Sequence, residues 1–375
     1  MENEPAAAAP ESGTSFLRRH TTAVIVGCAT AFALLVGGGG IAIGASLAYR
    51  EPVIAAAPRI SVMPTTLDTG STTTAATDKQ TVGVVTIVSN LYYSGTASAA
   101  GTGMILTSSG EILTNNHVVA GSTTIEVTVE STGESYAAEV VGTDATNDVA
   151  VLQLIDAPKL KTATFSEDAA EVGDSITDVG NAEGTGDLVA ATGTVTDLDE
   201  SITVKNELTG EPVDLEGLIE LDADVVSGDS GGPVVNEDGD VIGIATAASS
   251  GTRDITGFAI PIETAMDIVT QIRSGEETET VEIGVPAFLG VEIATTQGTT
   301  GVTLGGVVEG LPAALAGLVA GDTITAINDT ATLTPDALSA SIASFEPGTA
   351  VRVTYVDGSG SIQSLAVTLG EGPAA

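Results

Sequence analysis

The stretch "DADVVSGDSGGPVV", residues 222–235, sets Ser230 among glycines, with Asp229 beside it and Asp222 and Asp224 upstream. "GDSGG" satisfies the G-x-S-x-G pattern of a nucleophile elbow on an α/β-hydrolase sheet, where the reactive residues run serine, acid, histidine along the chain. This chain has two histidines, His20 and His117, and both precede Ser230. The elbow reading therefore fails. Whether Ser230 is a nucleophile at all depends on what the rest of the chain supplies.

A serine hydroxyl is a poor nucleophile until a neighbouring base takes its proton, and that base must itself be oriented. His20 follows Arg18 and Arg19 at the edge of an apolar run, which leaves His117, in "LTNNHVVAGS" at the end of an alternating strand. A lone histidine there is ordinarily a surface or packing residue; its company changes the weight. "DATNDVAVLQL", residues 144–154, offers two acids. Asp148 directly precedes an alternating apolar strand that would fix it against a core, whereas Asp144 reads as a turn residue; in a chain this acidic a single aspartate is more often solvated than catalytic. The order His117, Asp148, Ser230 is that of the double-barrel serine hydrolases.

Composition supports β-rich domains. The 375 residues suggest two or three domains, with 43% hydrophobic residues but only 3% aromatic and no tryptophan. The cores must be built from valine, isoleucine, leucine and alanine. Fifty acidic against 11 basic residues give a formal net charge of −39. That argues against nucleic acid as a partner and against adsorption to an anionic lipid surface. It describes a strongly solvated acidic surface, suited to high salt or simply the compositional habit of a lineage. The single cysteine, Cys28, permits no intramolecular disulfide, and two histidines exclude a histidine-rich zinc site. No metal and no cofactor are expected.

Along the chain, residues 1–20 form a short tail. Residues 21–49, from Thr21 to Tyr49, carry no charge and exceed the roughly 20 apolar residues a bilayer core requires. Arg18 and Arg19 before this run place the tail in the cytoplasm and the remainder outside. A cleaved signal peptide is the competing reading, although its apolar region would be shorter. Residues 50–80 have the Pro, Thr, Ser and Ala composition of a linker. Residues 81–273 run through short alternating segments to one helical pattern, "PIETAMDIVTQIR", residues 261–273. An acidic hinge, 274–283, precedes a second block, 284–372, with its own strands, two short helices and a hairpin around Asp357 and Gly358.

"LTNNHVV", "DATNDVAVLQL", "GDSGGPVVNEDGDVIGI" and "GFAIPIE" resemble the HtrA/DegP family of membrane-anchored or periplasmic serine proteases. In the second block, "AFLGVEI" and "LPAALAGLVAGDTITAIND" resemble the carboxylate-binding loop and core of a PDZ domain. The resemblance spans about residues 81–370. It implies a mainly β fold: a chymotrypsin-like double β-barrel of two six-stranded barrels, then an α+β PDZ domain, preceded by one transmembrane helix. His117 would be the general base, Asp148 its orienter and Ser230 the nucleophile. Backbone N–H groups of Gly228 and Ser230 would form the oxyanion hole, and those of Leu289, Gly290 and Val291 would hold a peptide's terminal carboxylate. Implied partners are unfolded or C-terminal peptide substrates and the membrane, with a homotrimer as the implied assembly. The chain departs from the family in Asp229, where asparagine is more usual, and the partner of Asp229 is open. The expected function is an extracytoplasmic serine endopeptidase; the alternatives are a catalytically silent chaperone or peptide sensor, or an acidic surface protein that only binds partners.

Asp224 lies six residues before Ser230. That spacing puts an aspartate at the floor of the primary specificity pocket in trypsin-type enzymes. Three readings stay open: Asp224 in the pocket and favouring Lys or Arg, Asp224 turned to solvent, or Asp222 as the inward residue.

Overall fold

Strand-forming alternation in the sequence becomes barrel wall in the structure. The computed structural model describes residues 72–93, 97–205, 212–248, 256–295 and 300–374. A short strand, β1 (Thr72–Ala75), comes first. Six strands follow: β2 (Val84–Leu91), β3 (Ser98–Ile105), β4 (Glu111–Thr114), β5 (Ser122–Val129), β6 (Glu134–Asp144) and β7 (Val149–Leu154). They pair antiparallel as β6-β5-β2-β3-β4-β7, and β7 returns to β6 to close a barrel. On β5, Ile125, Val127 and Val129 point inward while Glu126 faces solvent, the period of two expected of a half-buried strand. A single helical turn, α1 (Asn116–Val119), interrupts the wall between β4 and β5 and carries His117.

The second barrel repeats the scheme with β8 (Ser175–Gly180), β9 (Val189–Lys205), β10 (Pro212–Leu221), β11 (Pro233–Val235), β12 (Val241–Ala248) and β13 (Gly257–Pro261). Their order is β9-β10-β13-β12-β11-β8, closed by pairing of β8 with β9. Helix α2 (Ile262–Ser274) then packs across both barrels. Its buried Ala265, Val269 and Ile272 share one core with Met104 and Leu113 of the first barrel and Leu215 and Ile260 of the second. Gly275 ends the helix in the left-handed conformation.

Each six-stranded barrel gains a seventh strand from a segment expected to be a connector. β1 lies inside the stretch read as linker 50–80, yet it pairs with β9 in the register Thr72↔Thr192. Thr73, Thr74 and Ala75 are exposed, so the strand is held by backbone pairing and leaves no apolar signature in the sequence. Likewise β14 (Val281–Ile283) lies inside the expected hinge 274–283 but pairs with β6 and buries Val281. Neither segment is a free connector over those residues.

The second block contains β15 (Ala287–Phe288), β16 (Val291–Ile293), β17 (Val302–Val307), α3 (Pro312–Ala316), β18 (Thr323–Ile327), β19 (Thr330–Ala331), α4 (Pro335–Ala343), β20 (Ala350–Val356), β21 (Ile362–Thr368) and β22 (Gly370–Glu371). Its core, including Leu304, Ile324, Leu338 and Val353, is separate from that of the barrels. β16 ends the sheet order β16-β17-β18-β20-β21, so one of its edges is without a strand partner among the described residues. The hairpin between β20 and β21 is wider than a two-residue turn at Asp357 and Gly358. The Asp357 carboxylate accepts from the Ser359 and Ser361 N–H groups and organises a loop that closes from Asp357 N to Ser361 O.

The block touches the first barrel. Tyr93 stacks on Phe288 at 5.7 Å between ring centroids, and its hydroxyl donates to Glu371 O. Ala374 exchanges backbone hydrogen bonds with Gly121 and Ser122, just after α1. The expected membrane segment, residues 21–49, lies outside the described residues. Among the described residues, no helix is long and apolar enough to cross a membrane.

Candidate active site

The residues singled out in the sequence converge where the barrels meet. α1 is fixed from below by Asn115, whose side chain donates to Asp148 O at 2.9 Å. Asp148 is buried at 6% exposure and sits at φ 55°, a left-handed conformation that aspartate tolerates better than most residues. Its Oδ1 accepts from the His117 backbone N–H at 2.9 Å, and its Oδ2 lies 2.8 Å from His117 Nδ1. Thr246 Oγ1, from β12, donates to the same Oδ2. The carboxylate thus has donors on both oxygens and fixes the imidazole by its Nδ1 edge.

Asp144 stands at the head of a turn, as read from the sequence, and is buried. It is 1% exposed, and its carboxylate accepts from the Thr146 and Asn147 N–H groups, the Asn147 amide and the Thr280 hydroxyl. Those bonds close the turn that delivers Asp148 to His117 and tie it to the segment leading into β14. An aspartate in a turn is often a cap, and here the cap is buried.

Ser230 follows a turn whose shape requires glycine. Gly228 has φ +97°, and a Cβ there would overlap Asn181 O. The Ser227 carbonyl is turned outward by the Glu183 N–H at 2.6 Å, which directs the N–H of the same peptide, that of Gly228, to the opposite side. Asp229, Gly231 and Gly232 donate their N–H groups to Val226 O, Ala245 O and Asp229 O. The N–H groups of Gly228 and Ser230 have no acceptor among the described residues. Two adjacent, preoriented donors of that kind suit a developing oxyanion. Ser230 Oγ itself donates to Thr246 O at 3.3 Å.

The first barrel holds this turn through Thr102, which is fully buried. Its hydroxyl donates to Gly228 O at 2.7 Å, its N–H donates to Ser230 O at 2.8 Å, and its hydroxyl accepts from Asn181 N. Thr102 and Thr246 were not legible in the sequence, where neither stands out from the many strand threonines. Each lies on a strand directly facing a motif, and only tertiary pairing gives them a role.

The family pattern described as a trypsin-like peptidase domain matches residues 101–244, and that described as a PDZ domain matches residues 304–356. A protein of Chlamydia trachomatis named "Probable periplasmic serine endoprotease DegP-like" is 36% identical over 263 residues, covering 68% of this chain and 51% of that protein. "Serine protease Do-like HtrA" of Lactococcus lactis is 31% identical over 278 residues, covering 69% of this chain and 67% of the relative. The chain belongs to the HtrA/DegP-like family of trypsin-like serine proteases. It spans about half the length of the chlamydial relative. A solved serine endoprotease of Yersinia pestis is 26% identical, with 80% of this chain and 99% of that chain covered, at a TM-score of 0.44.

Against the HtrA pattern, two acidic positions stand out in the structure. Asp229 is 3% exposed, and its Oδ2 accepts from the Val226 N–H at 2.8 Å, closing the turn that carries Gly228. Burial pushes its carboxyl up to about 6, with the Val226 N–H opposing and the Asp224 charge adding to the rise. Asp224 is half-buried, with Thr73 of β1 at the outer limit of hydrogen bonding, 3.5 Å, and no cation paired to it among the described residues. Asp222 is exposed. In the second block, Gly290 has φ +77°, with Leu311 where a Cβ would lie. The Leu289 and Gly290 carbonyls are taken by Ala313 N and Val308 N. That leaves the N–H side of the "LGV" loop turned away from α3, beside the edge of β16 that has no strand partner among the described residues. Among the described residues, no group of His, Cys, Asp or Glu is arranged to hold a metal.

Proposed function

We propose that this HtrA-family chain is an extracytoplasmic serine endopeptidase that hydrolyses unfolded or misfolded exported proteins, with a PDZ domain that takes peptide C-termini. The observation that carries it is the His117 Nδ1 to Asp148 Oδ2 contact of 2.8 Å, together with the N–H groups of Gly228 and Ser230, which have no acceptor among the described residues. Ser230 Oγ attacks the scissile carbonyl while His117 Nε2 takes its proton. The oxyanion is received by the N–H groups of Gly228 and Ser230. Collapse breaks the C–N bond as the imidazolium gives its proton to the leaving amine, and water, deprotonated by the same imidazole, releases the acyl group. Asp148 keeps the imidazole in the tautomer with the proton on Nδ1 and stabilises the imidazolium.

Three parts of the reading rest on position and resemblance. The apolar run 21–49 would anchor the chain with its catalytic part outside, in keeping with the periplasmic assignment in the name of the chlamydial relative. The assembly proposed is a homotrimer, as the resemblance implies. Leu289, Gly290 and Val291 would bind the free carboxylate while the peptide adds as a strand along β16. Amidating the C-terminus of an apolar-ended peptide is then expected to weaken its binding to the chain by at least about tenfold, read by fluorescence anisotropy. Equal affinities would remove the carboxylate loop.

Asp224 is proposed as the specificity carboxylate, because it is half-buried with no cation paired to it among the described residues and its charge reaches Asp229 behind Ser230. A buried carboxylate is costly unless paired, and a substrate Lys or Arg would supply the partner. A cleavage profile on a peptide library tests this. The expected result is preference for Lys or Arg at the cleaved position, lost in Asp224→Ala. A profile dominated by Val, Ala or Leu and unchanged in that variant would assign Asp224 to the acidic surface instead.

A further inference from the structure

Behind the turn that carries Gly228 lies a second carboxyl that the sequence motifs do not include. Asp178 is on β8, 1% exposed, with Ala191 of β9 and Val234 of β11 opposite it in the sheet. Side chains two residues apart on a strand share a face, so Asp178 and Gly180 look the same way, about 7 Å apart. The space in front of Gly180 is filled by Asp229: a Cβ on that glycine would overlap Asp229 Oδ1 and Cα. The two carboxyl groups therefore lie side by side on the inner face of β8, and the Asp229 charge bears on Asp178. Each has one buried oxygen, Oδ1, without any hydrogen-bond partner.

Two ionised carboxylates in one dry space repel, and among the described residues only backbone N–H groups, of Val226 on Asp229 and of Val179 on Asp178, oppose that repulsion. Neither is paired to a lysine, arginine or histidine among the described residues. The Asp224 carboxylate, in the segment between β10 and the turn, adds negative charge, and Glu183, in the turn packed against Gly228, is exposed to solvent. From β3 the facing residue is Thr102, which is neutral and already bonded to Gly228 O. A proton is the one counter-charge that needs no space in this packed site. A neutral carboxylic acid gains an O–H donor, so a single proton would satisfy one orphan oxygen as donor and the other as acceptor.

We propose that Asp178 is a positioning residue of this site: as a neutral acid it donates its proton to the Asp229 carboxylate, which holds the turn that presents Gly228. The role rests on the peptidase reading. Burial first, and the Asp229 charge second, push the Asp178 carboxyl well above the usual carboxylate range. Asp178 is the more buried of the two and holds the shared proton at neutral pH. The sign of the linkage follows. The folded chain keeps these protons to higher pH than the unfolded chain does, so the pair's contribution to stability falls as pH rises from about 4, where an unfolded carboxyl ionises, through the folded value of about 6 for Asp229. When Asp178 also ionises, repulsion between the two anions loosens the 226–229 turn, and the Gly228 N–H leaves its place.

The test uses the full chain and three forms: wild type, Asp178→Asn, whose amide is a permanent neutral donor, and Asp178→Ala, which has no donor. Two readouts are taken across pH: the infrared band of a neutral carboxylic acid, and kcat with KM on a short peptide. The expected wild type shows the neutral-acid band at pH 7 and an alkaline limb on which kcat falls about tenfold per pH unit with KM little changed. Asp178→Asn should lose the band and the alkaline limb together, while Asp178→Ala should have a lowered kcat at every pH. Absence of the band in wild type at pH 7 would overturn the shared proton. An alkaline limb identical in wild type and Asp178→Asn would overturn the positioning role. A band present in a chain that hydrolyses nothing would locate the failure in the peptidase reading, and the positioning role would fall with it while the shared proton stood.

Discussion

Ser230→Ala and His117→Ala are each expected to lower kcat on a cleavable peptide by about 10⁶-fold, and the double variant by no more than either alone. The reason is that base and nucleophile act as one unit: without the imidazole the hydroxyl keeps its proton, and without the hydroxyl the imidazole has nothing to activate. The residual rate should come from the N–H groups of Gly228 and Ser230, which remain in place because Ser227 O and Gly228 O are held by Glu183 and Thr102. Neither substitution should disturb the fold. Ser230 Oγ makes one long hydrogen bond, 3.3 Å to Thr246 O, and the His117 side chain is 40% exposed. Stopped assays together with thermal melting check both halves; wild-type turnover in Ser230→Ala would be incompatible with the site described.

Asp148→Asn should cost about 10⁴-fold in kcat while leaving the melting temperature nearly unchanged. Each carboxylate oxygen receives a donor, His117 N–H on Oδ1 and both His117 Nδ1 and Thr246 Oγ1 on Oδ2. An amide of the same shape must place its NH₂ against one of them. Placed at Oδ2, it drives the imidazole proton to Nε2, the atom that must accept from Ser230. Placed at Oδ1, it opposes the backbone N–H that seats α1. A loss in kcat with KM preserved would identify the orienting role; a small loss would mean that His117 is held by other contacts.

The parts of the fold that bury side chains were legible in the sequence, and the parts that pair only backbone were not. The alternating runs gave the barrel strands, and the spacing of Ile262, Ala265, Met266 and Val269 gave α2, in which Met266 is only partly buried. β1 and β14 were read as connectors because an exposed or three-residue strand adds little to a hydrophobic pattern. The catalytic candidates were legible for a different reason: His117, Asp148 and Ser230 sit in motifs whose chain order excludes the competing hydrolase fold. Asp144 was legible as a turn residue but its burial was not, because a chain with 50 acidic residues makes every aspartate look solvated. A signal for Asp178 did exist, since a charged residue stands in the otherwise uncharged strand "SITDVG". Its meaning depended on Asp229 arriving from a turn 51 residues later, and no local pattern reports that.

The central claim is that Ser230 is a nucleophile activated by His117. A fluorophosphonate probe, followed by intact-mass measurement and peptide mapping of the labelled full chain, tests it most directly. The account predicts one adduct per chain, on Ser230, absent from Ser230→Ala and strongly slowed in His117→Ala. No adduct on Ser230, or equal labelling of the Ser230→Ala chain, would contradict it.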